Sequence, residues 1–186
     1  PPERVRAQLA EQRGGADVIF DDIGQRIDGA VMLAVVTLDS AMAGRQYRLP
    51  GPQDYEYIWR SHCAINAGPS RIPKDKLSEI PDEPTPTGGG SGAGRAFSYQ
   101  RYGQLNYGDL FSIRQKAALS AFAKATKASS PQFRALGLAL GKLVDLANAN
   151  CRWEPVAECP RNVFAAGRVK PAWDFAEGVP ISDSSG

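Results

Sequence analysis

Groups able to do covalent or metal chemistry are scarce in this chain. It has one histidine, His62, and three cysteines, Cys63, Cys151 and Cys159. Any imidazole-based dyad, triad or zinc site must therefore run through His62. His62 and Cys63 are adjacent, the other two cysteines lie far along the chain, and no C-x-x-C spacing occurs. No autonomous catalytic triad and no metal site is expected from this inventory. Cys151, at the end of an apolar helical pattern, reads as a small buried packing residue.

Three other patterns invite a chemical reading. The run GGGSGAG at 88–94 has the composition of a phosphate loop. Such a loop needs a strand before it and a helix after it, so that backbone N–H groups and a helix N-terminus meet the phosphates. Here Pro-rich sequence precedes it, Arg95-Ala96-Phe97 follows, and no Gly-Lys-Ser/Thr is present. A flexible linker is the plainer reading. The stretch Trp173-Asp174-Phe175-Ala176-Glu177 sets two carboxylates among aromatics. Paired carboxylates can act as general acid and base, although solvated or helix-capping carboxylates fit this spacing as well. The richest segment is RAFSYQRYGQLNYGDLFSIRQ, 95–115, where Arg95, Arg101 and Arg114 alternate with Phe97, Tyr99, Tyr102, Tyr107 and Phe111. That mixture can stack bases and neutralise phosphates, although aromatic packing of an irregular segment against neighbouring elements is the plainer reading. Tyr102-Gly103 and Tyr107-Gly108 look like turn-forming pairs, with Asp109 placed to cap.

The elements that would position these residues follow from periodicity. Residues 2–13 carry helix start and stop signals, from Pro2 to Gly14-Gly15. Ala16–Phe20 is a short β-like run. Ala30–Leu38, nine apolar or β-branched residues without alternation, predicts a strand buried on both faces. Arg45–Leu49 predicts its hairpin partner. A helix is expected over Pro52 to Asn66. Residues 69–94 hold five of the 14 prolines, and five glycines fall among the seven residues 88–94. This predicts a connector, first extended and then flexible. Ser112-Ile113-Arg114-Gln115 fits an S-x-x-Q capping box opening a helix to about Lys127. Ser130-Pro131 opens another, with apolar positions Phe133, Leu136, Leu140, Leu143, Val144 and Ala147 at helical spacing. Gly137 and Gly141 on it would permit close backbone approach. The short link between the two helices predicts an antiparallel pair. From Cys151 onward irregular backbone with short strands is expected.

The expected fold class is α+β. It has a small N-terminal hairpin/helix part (1–68), a Pro/Gly-rich connector (69–94), and a basic, mainly helical part with an irregular tail (95–186). The 186 residues, 42% apolar and 23% charged, suffice for a real core. No apolar run approaches the roughly 20 residues of a membrane span, and charged residues interrupt any secretory-signal pattern at the start. Few, scattered cysteines point to a reducing cytoplasm. Net charge is +2 but uneven: residues 1–94 carry 10 basic and 13 acidic side chains, residues 95–186 carry 12 and 7. The basic half permits phosphate contact, with Arg168 and Lys170 as further candidates. A chain that starts at Pro1 and stops at Ser184-Ser185-Gly186 reads as part of a longer protein.

Five segments, taken in order, resemble the large prokaryotic adenine-specific DNA methylases. They are YRLP (47–50), DEPTP (82–86), YGQLNYGDLFSIRQ (102–115), NCRWEP (150–155), and WDFAE followed by SDSSG (173–177 and 182–186). Tyr107, Ile113 and Val179-Pro180 depart from the residues common in that family. The resemblance implies an S-adenosylmethionine-dependent methyltransferase with a Rossmann-like catalytic sheet. It also implies a DPF-x-G-x-G-like methyl-donor loop and a DPPY-like tetrapeptide, and neither occurs in this chain. The chain is similar to the stretch between them, so it is expected to be non-catalytic by itself and to hold no cofactor. S-adenosylmethionine belongs to the parent protein. The matches carry over as candidates for contact with DNA (Tyr102, Arg114, Gln115, Arg152) or with the catalytic core (Asp109, Trp153, Trp173, Asp174, Glu177). DNA and the remainder of the parent chain are the implied partners, and no membrane is. The other expectation is a structural or protein-interaction module with no nucleic-acid role.

Overall fold

The computed structural model describes residues 3, 4, 7, 16–38, 41–67, 78–88, 99–126, 131–161, 163, 172 and 174–180, with backbone only at 101 and 131–134. The architecture is α+β. Strands β1 (Val18–Phe20), β2 (Arg26–Gly29), β3 (Val35–Leu38) and β4 (Arg45–Arg48) precede helix α1 (Pro52–Asn66). Two short 3-10 turns, Tyr99–Tyr102 and Tyr107–Leu110, lead into α2 (Ile113–Ala125) and α3 (Pro131–Leu146), and β5 (Arg152–Glu154) and β6 (Cys159–Arg161) follow. Glu3, Arg4 and Ala7 are helical. The strands form three separate antiparallel hairpins, β1–β2, β3–β4 and β5–β6. No described helix is long and apolar enough to cross a membrane.

Local chemistry sets the helix boundaries. Gly51 precedes Pro52, whose fixed φ suits the first turn, and the Asp54 carboxylate accepts the Gly51 N–H at 2.7 Å. Ser112 and Gln115 form the reciprocal box that their spacing predicts. Ser112 Oγ accepts from Gln115 N at 3.4 Å, and Gln115 Oε1 accepts from Ser112 N at 2.9 Å. The antiparallel pair α2–α3 then follows from the short link between them.

The core joins sequence-distant elements. Val18 of β1, Ile58 of α1 and Ile113 of α2 are buried together, with Phe20, Ala30, Met32, Tyr55 and Ile65 packed around them. Gly29 permits the tight approach of β2 to β1. Its φ is +79°, and a Cβ there would strike the Asp17 carbonyl and, at 2.8 Å, the Ile19 nitrogen.

Two expectations are corrected. The apolar run 30–38 is not a strand buried on both faces. Only Val35–Leu38 pairs, in register with Arg48–Arg45 of β4, and Val36, Thr37 and Leu38 of this two-stranded ribbon remain exposed. The backbone alternates instead: Ala30 and Met32 turn to the core, while Val31 and Leu33 (71% exposed) face outward. An apolar run without alternation therefore marks an inner face and an outer apolar face. The second correction concerns Gly137 and Gly141. Among the described residues a Cβ at either would meet nothing within 4 Å, so no described backbone packs closely there. Leu136 and Leu138 beside them are exposed, and burial of α3 begins near its C-terminal end, culminating at Ala147.

Part of the expected connector is structured. Residues 81–85 lie against 104–108 through a run of backbone hydrogen bonds: Gly108 N to Pro81 O at 2.8 Å, Tyr107 N to Glu83 O at 3.0 Å and Thr85 N to Leu105 O at 2.8 Å. Prolines remove donors but leave carbonyl acceptors, and here the Pro81 carbonyl is used. Thr85 is 2% exposed, and its Oγ1 donates to Gln104 O at 2.6 Å. Residues 68–77 and 89–98, where the two proposed boundaries fall, lie outside the described residues, as does nearly all of GGGSGAG.

Candidate functional site

The described segments that carry the resemblance meet one another in space, while SDSSG (182–186) lies outside the described residues. In YRLP, Arg48 makes a two-pronged ion pair with Asp54 at the start of α1, both contacts 2.7 Å. The Arg48 guanidinium, followed by the Gly51 N–H, holds the Asp54 carboxyl well below the usual carboxylate range, and the positive charge of Arg114 acts in the same direction. Arg114, in the first turn of α2, is itself paired with Glu177 at 2.9 Å. Ser112 Oγ also donates to Glu177, at 3.0 Å. The result is a chain of alternating charge, Arg48–Asp54, then Arg114–Glu177, that ties β4, α1, α2 and the 174–180 segment together.

The remaining motif segments extend this frame. Ala176 N donates to Cys151 O at 2.7 Å, and Phe175 bridges to Arg152, so WDFAE lies along NCRWEP. Tyr47 of YRLP meets Trp153 of NCRWEP edge to face at 6.4 Å, and the Tyr47 hydroxyl donates to Glu158 at 2.6 Å. DEPTP is laced to QLNYG by the bonds described above. Gly108 there is obligatory, because a Cβ would lie 2.7 Å from both Ile80 Cγ2 and the Pro81 carbonyl. Asp109 caps the second 3-10 turn by accepting from Leu105 N and Asn106 N, both at 2.9 Å. That is the capping role read from its position.

The candidate contact residues thus occupy distinct settings. Gln115 is 3% exposed and spends its Oε1 on the helix cap. Arg114 faces Glu177. Arg152 is exposed, with Glu154 at 3.6 Å. Tyr107 is exposed, Tyr102 is half-buried and Asp174 is exposed. Arg95, Arg168, Lys170 and Trp173 lie outside the described residues, as does the Arg101 side chain. Sequence reasoning missed Arg48, Asp54, Asp17 and Lys116. Asp54 was within reach, since a carboxylate three residues after Gly51 at a Pro-initiated helix is a capping signal. The pairing of Asp17 with Lys116, at 2.9 Å across 99 residues, left no local trace.

Of the expected chemical groups, His62 stacks on Trp59 (5.6 Å, 13°) and contacts Asn66 at 3.0 Å. Cys151 is fully buried, its thiol donates to the carbonyls of Asp145 and Leu146, and burial pushes its pKa up. It is the packing residue its context predicted. Among the described residues no three of His, Cys, Asp and Glu are grouped to hold a metal ion. All described strands sit in antiparallel hairpins, so the described residues do not form the parallel Rossmann-like sheet that the resemblance implies for the catalytic part.

Beside the frame lies an open cleft of about 540 Å³. Its walls come from β1, the last turns of α1, residues 78–82, the 106–109 turn and the start of α2. Compared with protein-family models, curated proteins and solved structures, the chain has no significant match.

Proposed function

We propose that this chain is a non-catalytic segment of an S-adenosylmethionine-dependent DNA adenine methyltransferase-like protein, and that it supports the catalytic part by docking against it. The observation that carries this reading is the use to which the resembling residues are put. Tyr47, Arg48, Gly108, Arg114, Trp153 and Glu177 hold one another in a frame instead of converging on a reaction centre. Residues spent on rigidity specify a surface, and the surface they present is apolar: Val31, Leu33, Leu38, Met42 and Leu49 are all exposed. A direct DNA role draws less support. Arg45, Arg48, Arg60, Arg114, Lys116, Lys124, Arg152 and Arg161 each have a carboxylate within 4.0 Å, and a paired cation neutralises a phosphate less effectively.

The test is made in the longer methylase-like protein. Leu33→Asp together with Leu38→Asp, both at exposed positions, should lower adenine methylation by about tenfold while the thermal melting of this segment is unchanged. Unchanged methylation with both aspartates in place overturns docking through this face. The same exposed side chains favour a second reading, a protein-interaction module with no nucleic-acid role. Fluorescence anisotropy in low salt separates the two: the longer protein binds DNA if the first holds and fails to bind if the second does.

A further inference from the structure

The turn of the β5–β6 hairpin has a strained backbone. Glu158 has a φ of +48°, and among the described residues it is the one non-glycine residue in the left-handed region. A Cβ crowds the following carbonyl there, so glycine is the usual occupant. Such a position persists where surrounding contacts offset its strain. Glu158 has contacts of that kind. One carboxylate oxygen accepts from the Tyr47 hydroxyl at 2.6 Å across 111 residues, and the other lies 3.6 Å from Arg45.

Side-chain alternation puts both partners on one face of the β3–β4 ribbon. Register pairs Val36 with Tyr47 and Leu38 with Arg45, so these four residues point to the same side. On the other hairpin, Trp153 pairs with Pro160 and meets the Tyr47 ring edge to face. Each hairpin is fastened separately at its base. Next to β5–β6, Val163 N donates to Asp145 O of α3 at 3.2 Å, and Ala176 N donates to Cys151 O. The ribbon is tied to α1 through Arg48 and Asp54. Glu158 joins the two hairpins near the turn end of both. We propose that β5–β6 is a clasp on the β3–β4 ribbon, held shut by the Glu158 side chain, and that opening it uncovers the meeting surfaces of Tyr47 and Trp153 beside Val36 and Leu38. The Glu158 backbone relaxes when the clasp opens, so its backbone and its side chain pull in opposite directions. The clasp stands whatever the ribbon docks against.

Amide hydrogen exchange of the 186-residue chain reads the two hairpins separately. Glu158→Gly removes the strain and the clasp together. It should raise protection in β5 and β6 roughly threefold while lowering protection in β3 and β4 about fivefold. Tyr47→Phe keeps the ring and the strain. It should lower protection in the ribbon without raising it in β5–β6, and adding it to Glu158→Gly should cost the ribbon nothing further. Protection that rises in both hairpins of Glu158→Gly makes Glu158 an ordinary turn residue and overturns the clasp. An unchanged ribbon, or losses that add in full in the double variant, overturns it as well.

Discussion

Two regions of this molecule treat the same residue types in opposite ways. Around β1, α1 and the start of α2, polar and small residues are locked. Asp17 bridges to Lys116, Arg48 to Asp54 and Arg114 to Glu177, and Gly29 and Gly108 fit where no Cβ can. Along residues 31–42 and at Leu136 and Leu138 of α3, large apolar side chains stand exposed, and Gly137 and Gly141 have no close neighbour among the described residues. The contrast shows that rigidity here comes from polar cross-bracing of short elements. Apolar mass that would thicken the core of a free-standing domain is instead left on the surface.

Glycine substitutions should expose this contrast most sharply. Gly29→Ala combines a left-handed backbone with a clash against the Asp17 carbonyl and should cost roughly 3 kcal/mol. Gly108→Ala, pressed against Ile80 and Pro81, should cost roughly 2 kcal/mol. Urea midpoints measure both, and a loss below about 0.5 kcal/mol at either would remove the tight-contact account of the braced region.

Acid titration tests the ion-pair side of the comparison. The Asp54 carboxyl is lowered in the folded state by Arg48, by the Gly51 N–H and by Arg114, from an ordinary value of 3.8. A depressed folded value means that the unfolded chain binds the proton more readily. This contribution is therefore fully present above that ordinary value and is lost as pH falls below it toward the folded one. Thermal melts between neutral pH and pH near ~2 should show a smaller acid loss in Asp54→Asn than in the parent. Equal acid slopes would mean that the Arg48 pair is not coupled to folding.

The smallest effect should have the opposite sign. Gly137→Ala in exposed, open helix should stabilise by about 0.5–1 kcal/mol, through lower backbone entropy in the unfolded chain and better helix propensity. A destabilised Gly137→Ala protein would indicate a close neighbour and dissolve the distinction between the two regions.

Local signals were legible where local chemistry decides structure. The capping box at Ser112 and Gln115, the Pro-initiated α1, the β3–β4 hairpin and the turn capped by Asp109 all follow from residues within a few positions of one another. Periodicity failed where it gives burial without a partner. The run 30–38 is apolar on both sides, and nothing in the run itself says that only Ala30 and Met32 would find a core. The 137/141 glycine pair likewise has the spacing of a packing motif, yet among the described residues no helix comes to meet it.

Sequence by itself determined the α+β class, the helix starts, the uneven charge, the buried Cys151 and the absence of the two methyltransferase signatures. These depend on composition or on contacts close along the chain. Only tertiary structure decided that Asp17 meets Lys116 across 99 residues, that Glu177 neutralises Arg114, and that residues 81–85 pair with 104–108. Such pairings are set by which surfaces the whole chain can bring together, and side-chain spacing along the sequence carries no record of that competition.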